Sequence, residues 1–345
     1  MRLSDIKGHE LIRRLVARAV ARDRLPPCLL LTGPDGVGKR RVALALAGLL
    51  NCEAVRVQET AGAAAFPDAC GVCGPCQRIA RGVHTDVILI DPGETGSIKI
   101  GAVRTAVDQA AVRPFEGRRR VVFIDDADRL VPAAQNALLK TLEEPPPASV
   151  FLLVTSRPHL LLATVRSRCP VLRFGGLPTD AIADILVTQH GFDATAARAA
   201  AASADGSAAR AIEAGSGDYV QVRQSAAEVL RTLAAAPSPK GRLVVGKTLA
   251  GARRGGRSSA AGDRETLTRR LRALASLLRD LQVLSVRGDP DWLANADLGA
   301  ELAELARSYD AGRAGHGFAS VDRAVHALSR NASPKVVVDW LTLQL

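Results

Sequence analysis

Aromatic residues are scarce: seven Phe, two Tyr and two Trp make up 3% of the 345 residues. So thin a supply argues against a protein whose business is stacking on exposed bases. Lysine is sparser still, with 7 against 39 Arg, and acidic residues are outnumbered 35 to 46, leaving a net charge of +11. That charge suits a polyanionic partner, and a coding preference for Arg and Ala explains it equally well. No run of about 18 apolar residues is present, so no membrane span is expected. The opening MRLSDIKGHELIRRLVARAV is broken by charges where a secretory leader has an unbroken apolar segment. A cytosolic chain is therefore expected, and in a reducing compartment its six Cys suit metal better than disulfides.

What is present is apolar and helix-forming. Hydrophobic residues make up 47% of the chain, enough at this length for two or three packed domains. In the first half, CLLLTG, DVILIDP, RRRVVFIDDAD and SVFLLVTS read as strands, and KRRVALALAGLL, IKIGAVRTAVDQAAV and AAQNALLKTLEEPPP as helices. Apolar strands separated by helices predict a parallel sheet covered on both faces, an α/β nucleotide-binding architecture. Next comes a small helical region: PTDAIADILVTQHG opens at Thr179 and closes at Gly191, and two further helices are divided by Asp205-Gly206. The remainder reads as helical, apart from GARRGGRSSAAGDRE, whose Gly, Ser and Arg content predicts a loop.

The sharpest local signal is Gly33-Pro-Asp-Gly36-Val-Gly38-Lys39. Between a strand and a helix, such a loop converges backbone N–H groups on phosphate oxygens, and Lys39 adds a point charge. Yet Arg40 follows, where a Ser or Thr hydroxyl would help hold magnesium on the β- and γ-phosphates. Arg40 has no such oxygen and brings a competing cation. Nucleotide binding through the backbone and Lys39 is compatible with this, while productive ATP and magnesium geometry is disfavoured. Farther on, VVFIDDADRL ends an apolar strand in Asp125-Asp126, placing one carboxylate near a metal and the other near an attacking water. Many ATPases of this type carry the longer Glu at the second position, so Asp126 departs in the same direction. A solvated strand end is the alternative, disfavoured by spacing after the loop that suits a three-layer nucleotide fold.

In CGVCGPC, Cys70, Cys73 and Cys76 have the spacing of a metal-binding turn, and Cys52 closes the helix after the loop. Tetrahedral zinc wants four such soft ligands; an iron–sulfur cluster or unliganded thiols are the alternatives. Cys28, at a strand entry, reads as core. Cys169 is isolated in TVRSRCP, where its neighbour Arg168 matters more than the sulfur. A loop arginine is usually just solvated, but one offered to an adjacent subunit can stabilise transferring phosphoryl charge.

In this order, GHELIRRLVARAVARDRLPPCLLLTGPDGVGK, the four cysteines, IDDADRLVPAAQNALLKTLEEPP, LLVTSRPHLLLATVRSRC and GSAARAI resemble the bacterial DNA polymerase III clamp-loader subunits of the AAA+ superfamily, most of all the delta-prime type. The likeness is dense from Ile6 to Gly215 and continues beyond only as helical character. It implies an AAA+ domain over 1–175 with a zinc module at about 52–80, a helical lid over 176–217, and a helical oligomerising collar over 218–345. It further implies a ring in which gamma- or tau-type motor subunits bind ATP, delta opens the sliding clamp, and delta-prime is a rigid stator.

By position, Gly33, Gly36, Gly38 and Lys39 fall on the phosphate loop, Asp125 and Asp126 on the acidic box, and Thr155 or Ser156 near the first sensor. Cys52, Cys70, Cys73 and Cys76 fall on the zinc module, although 53–69 is longer than usual, and Arg168 falls on the trans-acting finger. Ala209 stands where a motor has its second-sensor Arg. With Arg40 and Asp126 this implies a part that does not hydrolyse ATP. Primed DNA is gripped through its phosphates, for which Lys99 and Arg104 are candidates; a solvated helix face is the alternative. An ATP-hydrolysing motor and a stand-alone basic DNA-binding protein are the competing readings.

Overall fold

The computed structural model describes residues 1–60, 63–93, 96–202, 204–215, 217–236, 238–250, 260–289, 292–330 and 332–345. Contacts divide the chain into two compact units, Met1–Ile185 with Gly206–Ala209, and Leu186–Asp205 with Arg210–Leu345.

The first unit runs α1 (Glu10–Ala21), β1 (Cys28–Thr32), α2 (Lys39–Asn51), β2 (Arg56–Thr60), β3 (Ala63–Asp68), α3 (Gly74–Ala80), β4 (Val87–Ile90), α4 (Ile100–Ala111), β5 (Arg120–Ile124), α5 (Pro132–Glu143), β6 (Ser149–Thr155), α6 (Ala163–Arg166) and β7 (Val171–Arg173). Five strands form one parallel sheet in the order β4-β5-β6-β1-β7. The central strands are buried at every position, and apolar at most of them, because both faces are covered. Leu29 and Leu31 of β1, with Val121 and Phe123 of β5, face Val16, Val42 and Leu46. The intervening Cys28 and Leu30, with Val122 and Ile124, face Val103, Leu138 and Leu142 on the other side. Since β6 crosses past β1 to reach β7, the strand order reverses at β1, and the crevice at the carboxyl end of that strand is where α/β sheets hold ligands. The loop 33–38 leaves β1 at this point.

Two elements were not legible. The antiparallel hairpin β2–β3 fills the long segment before Cys70, and the three-residue β7 completes the sheet on the far side of β1.

The second unit is helical. After α7 (Thr179–His190) come α8 (Ala194–Ala202), α9 (Ala208–Ala214), α10 (Gly217–Ala235), α11 (Pro239–Ala250), α12 (Ala260–Ser285), α13 (Gly299–Leu305), α14 (Ala311–Ser329) and α15 (Pro334–Gln344). Leu271, Leu274, Leu278 and Leu281 make α12 the spine of a core shared with Leu230, Leu233, Val321 and Leu341. Buried Asp280 accepts the N–H groups of Ala294 (3.1 Å) and Asn295 (2.8 Å), tying the turn after α12 back onto it. Of the expected Arg/Gly/Ser loop, 251–259 lie outside the described residues, and from Ala260 the chain is already α12. The amphipathic register of the following Leu-rich stretch carries the helix back over the small residues. No helix among the described residues is long and apolar enough to cross a membrane.

Candidate nucleotide loop and metal centre

The loop's backbone needs its glycines. Gly33 has φ 147°, and a Cβ there would stand 2.2 Å from the carbonyl oxygen of Phe174. Gly36 has φ 74°, and a Cβ would meet Ser207 Oγ at 2.3 Å and Ala209 Cβ at 2.6 Å. The Ala209 N–H also donates to the Gly36 carbonyl at 3.2 Å. Ala209 therefore lies directly on the loop, while the next residue, Arg210, pairs with Asp205 at 3.0 Å. Gly38 (φ 104°) precedes α2, whose first residue is Lys39. Lys39 is buried, its Nζ donating to the carbonyls of Gly33 (2.7 Å) and Pro34 (2.6 Å). Burial lowers its pKa, opposed by Asp35, Asp126, Asp125 and Asp128.

Arg40, the second residue of α2, reaches across to the acidic box. Its Nη1 lies 2.6 Å from Asp125 Oδ2, and the guanidinium sits 5.9 Å from the centre of the Phe123 ring. Asp126 takes a left-handed conformation (φ 46°) and remains solvent-exposed. Desolvation by surrounding protein, then repulsion from Asp125, Asp128 and Asp35, raises its pKa. The carboxylate that sequence reasoning passed over is Asp128. It accepts the buried Thr155 hydroxyl at 2.6 Å and is forked by Arg157 through Nε (2.9 Å) and Nη2 (2.6 Å). The sensor-one candidate Thr155 is thus held by an acid on the neighbouring strand's extension, and Ser156 beside it is half-buried. His9 was also missed: its Nε2 bonds the Val37 carbonyl at 2.8 Å and its ring meets Phe174 edge-on at 4.8 Å.

These residues do not suit magnesium. The metal would need a hydroxyl after Lys39 and a free Asp125; instead a guanidinium stands at that position and neutralises that carboxylate. The loop itself keeps three glycines at positive φ and sets Lys39 at the start of α2.

Arg168, just beyond α6, donates from Nη1 to the Thr164 carbonyl (2.9 Å) and pairs through Nη2 with Glu143. These partners lie on α5 and α6, apart from the loop contacts just described. Lys99 and Arg104, at the start of α4, are exposed.

The cysteines come together. The sulfurs of Cys52, Cys70, Cys73 and Cys76 all lie within 4.8 Å of one another, with Cys73 alone partly exposed. A tetrahedral zinc–thiolate centre with ~2.3 Å bonds spaces its sulfurs by about 3.8 Å, so the set fits. Backbone N–H groups point at the sulfurs as thiolates require: Cys70 N to Cys52 Sγ at 3.2 Å, and Val72 N and Cys73 N to Cys70 Sγ at 3.5 and 3.3 Å. The bond from Val72, against burial and with help from Cys73, lowers the Cys70 pKa to about 6. Asp68, wholly buried just before the cluster, accepts the N–H groups of Leu3 (2.9 Å) and Ser4 (2.8 Å) and so ties the module to the amino terminus. A bound zinc would cross-link the end of α2 to the turn before α3. One zinc per chain is the expected content on metal analysis. Cys73→Ala is expected to abolish it and lower the unfolding midpoint on the order of 10 °C, about 3 kcal/mol. Full zinc content in that variant would remove Cys73 from the ligand set.

A family model described as DNA polymerase III, delta subunit, matches residues 8–178. The DNA polymerase III subunit tau of Escherichia coli is 38% identical over 166 residues, 48% of this chain and 24% of tau. The DNA polymerase III subunit delta' of Pseudomonas aeruginosa is 40% identical over 141 residues, 41% of this chain and 40% of that one. The chain thus spans less than half the length of either relative. Among solved structures, a DNA polymerase III gamma subunit-related protein of Thermotoga maritima aligns with 95% of this chain and 97% of its own at 18% identity and a TM-score of 0.40. The family match covers the phosphate loop, the cysteine cluster, the acidic box and Arg168 together, and relatives of both tau and delta' type match the same half: residues 8–178 are those of a bacterial DNA polymerase III clamp-loader subunit of the AAA+ superfamily.

Proposed function

We propose that this chain is a delta-prime-type subunit that helps load the sliding clamp onto primed DNA without hydrolysing ATP itself. In this reading 1–175 is the AAA+ domain, 176–217 a lid and 218–345 a collar that joins gamma- or tau-type motor subunits and delta in a cytoplasmic complex. Arg168 serves the ATP of a neighbouring motor. Lys99 and Arg104 meet DNA phosphates, weakly and with strong salt dependence.

The observation that carries the reading is the 2.6 Å pair between Arg40 and Asp125. It uses up the carboxylate that magnesium needs and places positive charge where the metal would sit. Ala209 on the loop, where a motor's second-sensor Arg would stand, supports it independently. The kinship with tau and the intact loop around Lys39 favour the rival reading, a motor that turns over ATP. Purified chain with magnesium and ATP is expected to show background turnover, unchanged by Lys39→Ala and unstimulated by primed DNA and clamp. Turnover that disappears in Lys39→Ala would establish the motor and end the stator proposal.

A further inference from the structure

Two cysteines lie outside the metal cluster, and the fold sets them face to face. The ladder between β1 and β7 pairs Leu30 with Val171, Leu31 with Leu172 and Thr32 with Arg173, and the Leu30 N–H continues it to the Pro170 carbonyl at 2.9 Å. The same register carried two residues back sets Cys28 opposite Cys169. Neighbouring strands run about 4.8 Å apart, inside the roughly 4.4–6.8 Å window of Cα separations that a disulfide spans. Residues paired in a parallel ladder point to the same face, and both thiols are buried in the core beneath α4 and α5. There the Cys28 thiol donates to the Leu142 carbonyl at 3.9 Å.

The two thiols are not equivalent. Proximity to Cys28 lowers the Cys169 pKa, while proximity to Cys169 and burial push Cys28 up. Cys169 is therefore the sulfur more readily ionised, and so the attacking one. Both sulfurs are equally buried, but the residues on either side of Cys169, Arg168 and Pro170, reach the surface, and the connection they belong to joins a four-residue helix to a three-residue edge strand. Such a short element, paired on one side only, opens locally more readily than the central strands do. Cys28 sits in a strand hydrogen-bonded on both sides.

We propose that Cys28 and Cys169 form a redox-modification site, closed to an intramolecular disulfide by a small-molecule disulfide such as oxidised glutathione. The Cys169 thiolate attacks the external disulfide, giving a mixed disulfide and releasing one glutathione thiolate. The Cys28 thiol then loses its proton and attacks the Cys169 sulfur, expelling the second glutathione. One external disulfide is reduced to two thiols, which take up the two protons, and one protein disulfide is formed. Arg168 is the residue next to Cys169, so the bond would fix to β1 the segment that carries it. The chemistry stands whether or not Arg168 acts on a neighbour.

The test uses the zinc-loaded full-length chain, incubated natively with oxidised glutathione, alkylated and digested with trypsin. Cleavage isolates each cysteine, Cys28 in the peptide 25–39 and Cys169 in 169–173. The expected product is these two peptides linked, lost on reduction and absent in Cys28→Ala and Cys169→Ala. The same digest of chain oxidised after unfolding shows that the linked species is detectable. Native chain that yields no linked pair, or Cys169 carrying only glutathione, would overturn the proposal.

Discussion

Arg168→Ala in a reconstituted clamp loader is expected to slow ATP hydrolysis about a thousandfold at the one motor site next to this subunit, with assembly unchanged, since an arginine supplied in trans contributes roughly 10³–10⁵ in rate. The expectation rests on the proposed stator role and on what the side chain does when no neighbour is present. Its guanidinium is held by Glu143 and the Thr164 carbonyl, a pose that presents the arginine at the edge of α5 and α6 instead of burying it. Exposed ion pairs are weak, about 0–1 kcal/mol, so a phosphate can draw Arg168 away from Glu143 at little cost. Glu143→Gln is accordingly expected to leave turnover near wild type. Arg168→Lys is expected to fail almost as badly as Ala, because an ammonium lacks the planar fork that meets two phosphate oxygens at once. The measurement is single-turnover hydrolysis in a complex whose other motor sites carry a disabled phosphate-loop lysine. A wild-type rate from the Arg168→Ala complex would strike out the finger.

Whatever depends on neighbours in sequence was legible before the structure. The strand, glycine loop and helix around Lys39 could be read because glycine spacing and apolar runs are local, and the five-residue β1 is buried at each position for the reason stated. The four-cysteine cluster was legible from three close cysteines, and the structure brings Cys52 to them across the hairpin. That hairpin was not foreseen, since RVQET and AAAFPD lack the alternation of a half-buried strand. Partners far apart in the chain were the other gap. Arg40 was recognisable as an intrusive cation, but its capture of Asp125, 85 residues away, was not. Asp128 looked like one more acid in a row until β6 delivered Thr155 and Arg157 to it. The pairing of Cys28 with Cys169 was hidden for the same reason, because β7 is too short to announce itself as a strand.

Asp86→Ala is expected to be among the most damaging single substitutions in the first unit, costing about 3–5 kcal/mol, the usual penalty for breaking a buried ion pair, or on the order of 10 °C in unfolding midpoint. Asp86 is wholly buried just ahead of β4. Its carboxylate accepts the N–H groups of Phe115 (2.8 Å), Glu116 (2.9 Å) and Gly117 (2.7 Å) and pairs with buried Arg120 at 2.7 Å. Ala would leave those three donors and the guanidinium uncompensated. Arg120→Met added to Asp86→Ala should then recover part of the loss, which a purely steric role for Asp86 would not allow. Burial by itself raises the Asp86 pKa, but the bond from Phe115, the Arg120 pair and the bonds from Glu116 and Gly117 outweigh it and hold the group well below the usual carboxylate range. A folded pKa below the unfolded value near 3.8 means that the contribution is complete above that pH and is lost as acidification proceeds below it. His84 and Glu116, the latter paired with Arg78, titrate nearby, so the informative quantity is the difference between wild type and Asp86→Asn as pH is lowered. The gap in midpoint should be widest near neutrality and narrow steadily below about pH 4; a gap that stays constant to pH 2 would show that the charge on Asp86 is not what holds the loop at 115–117.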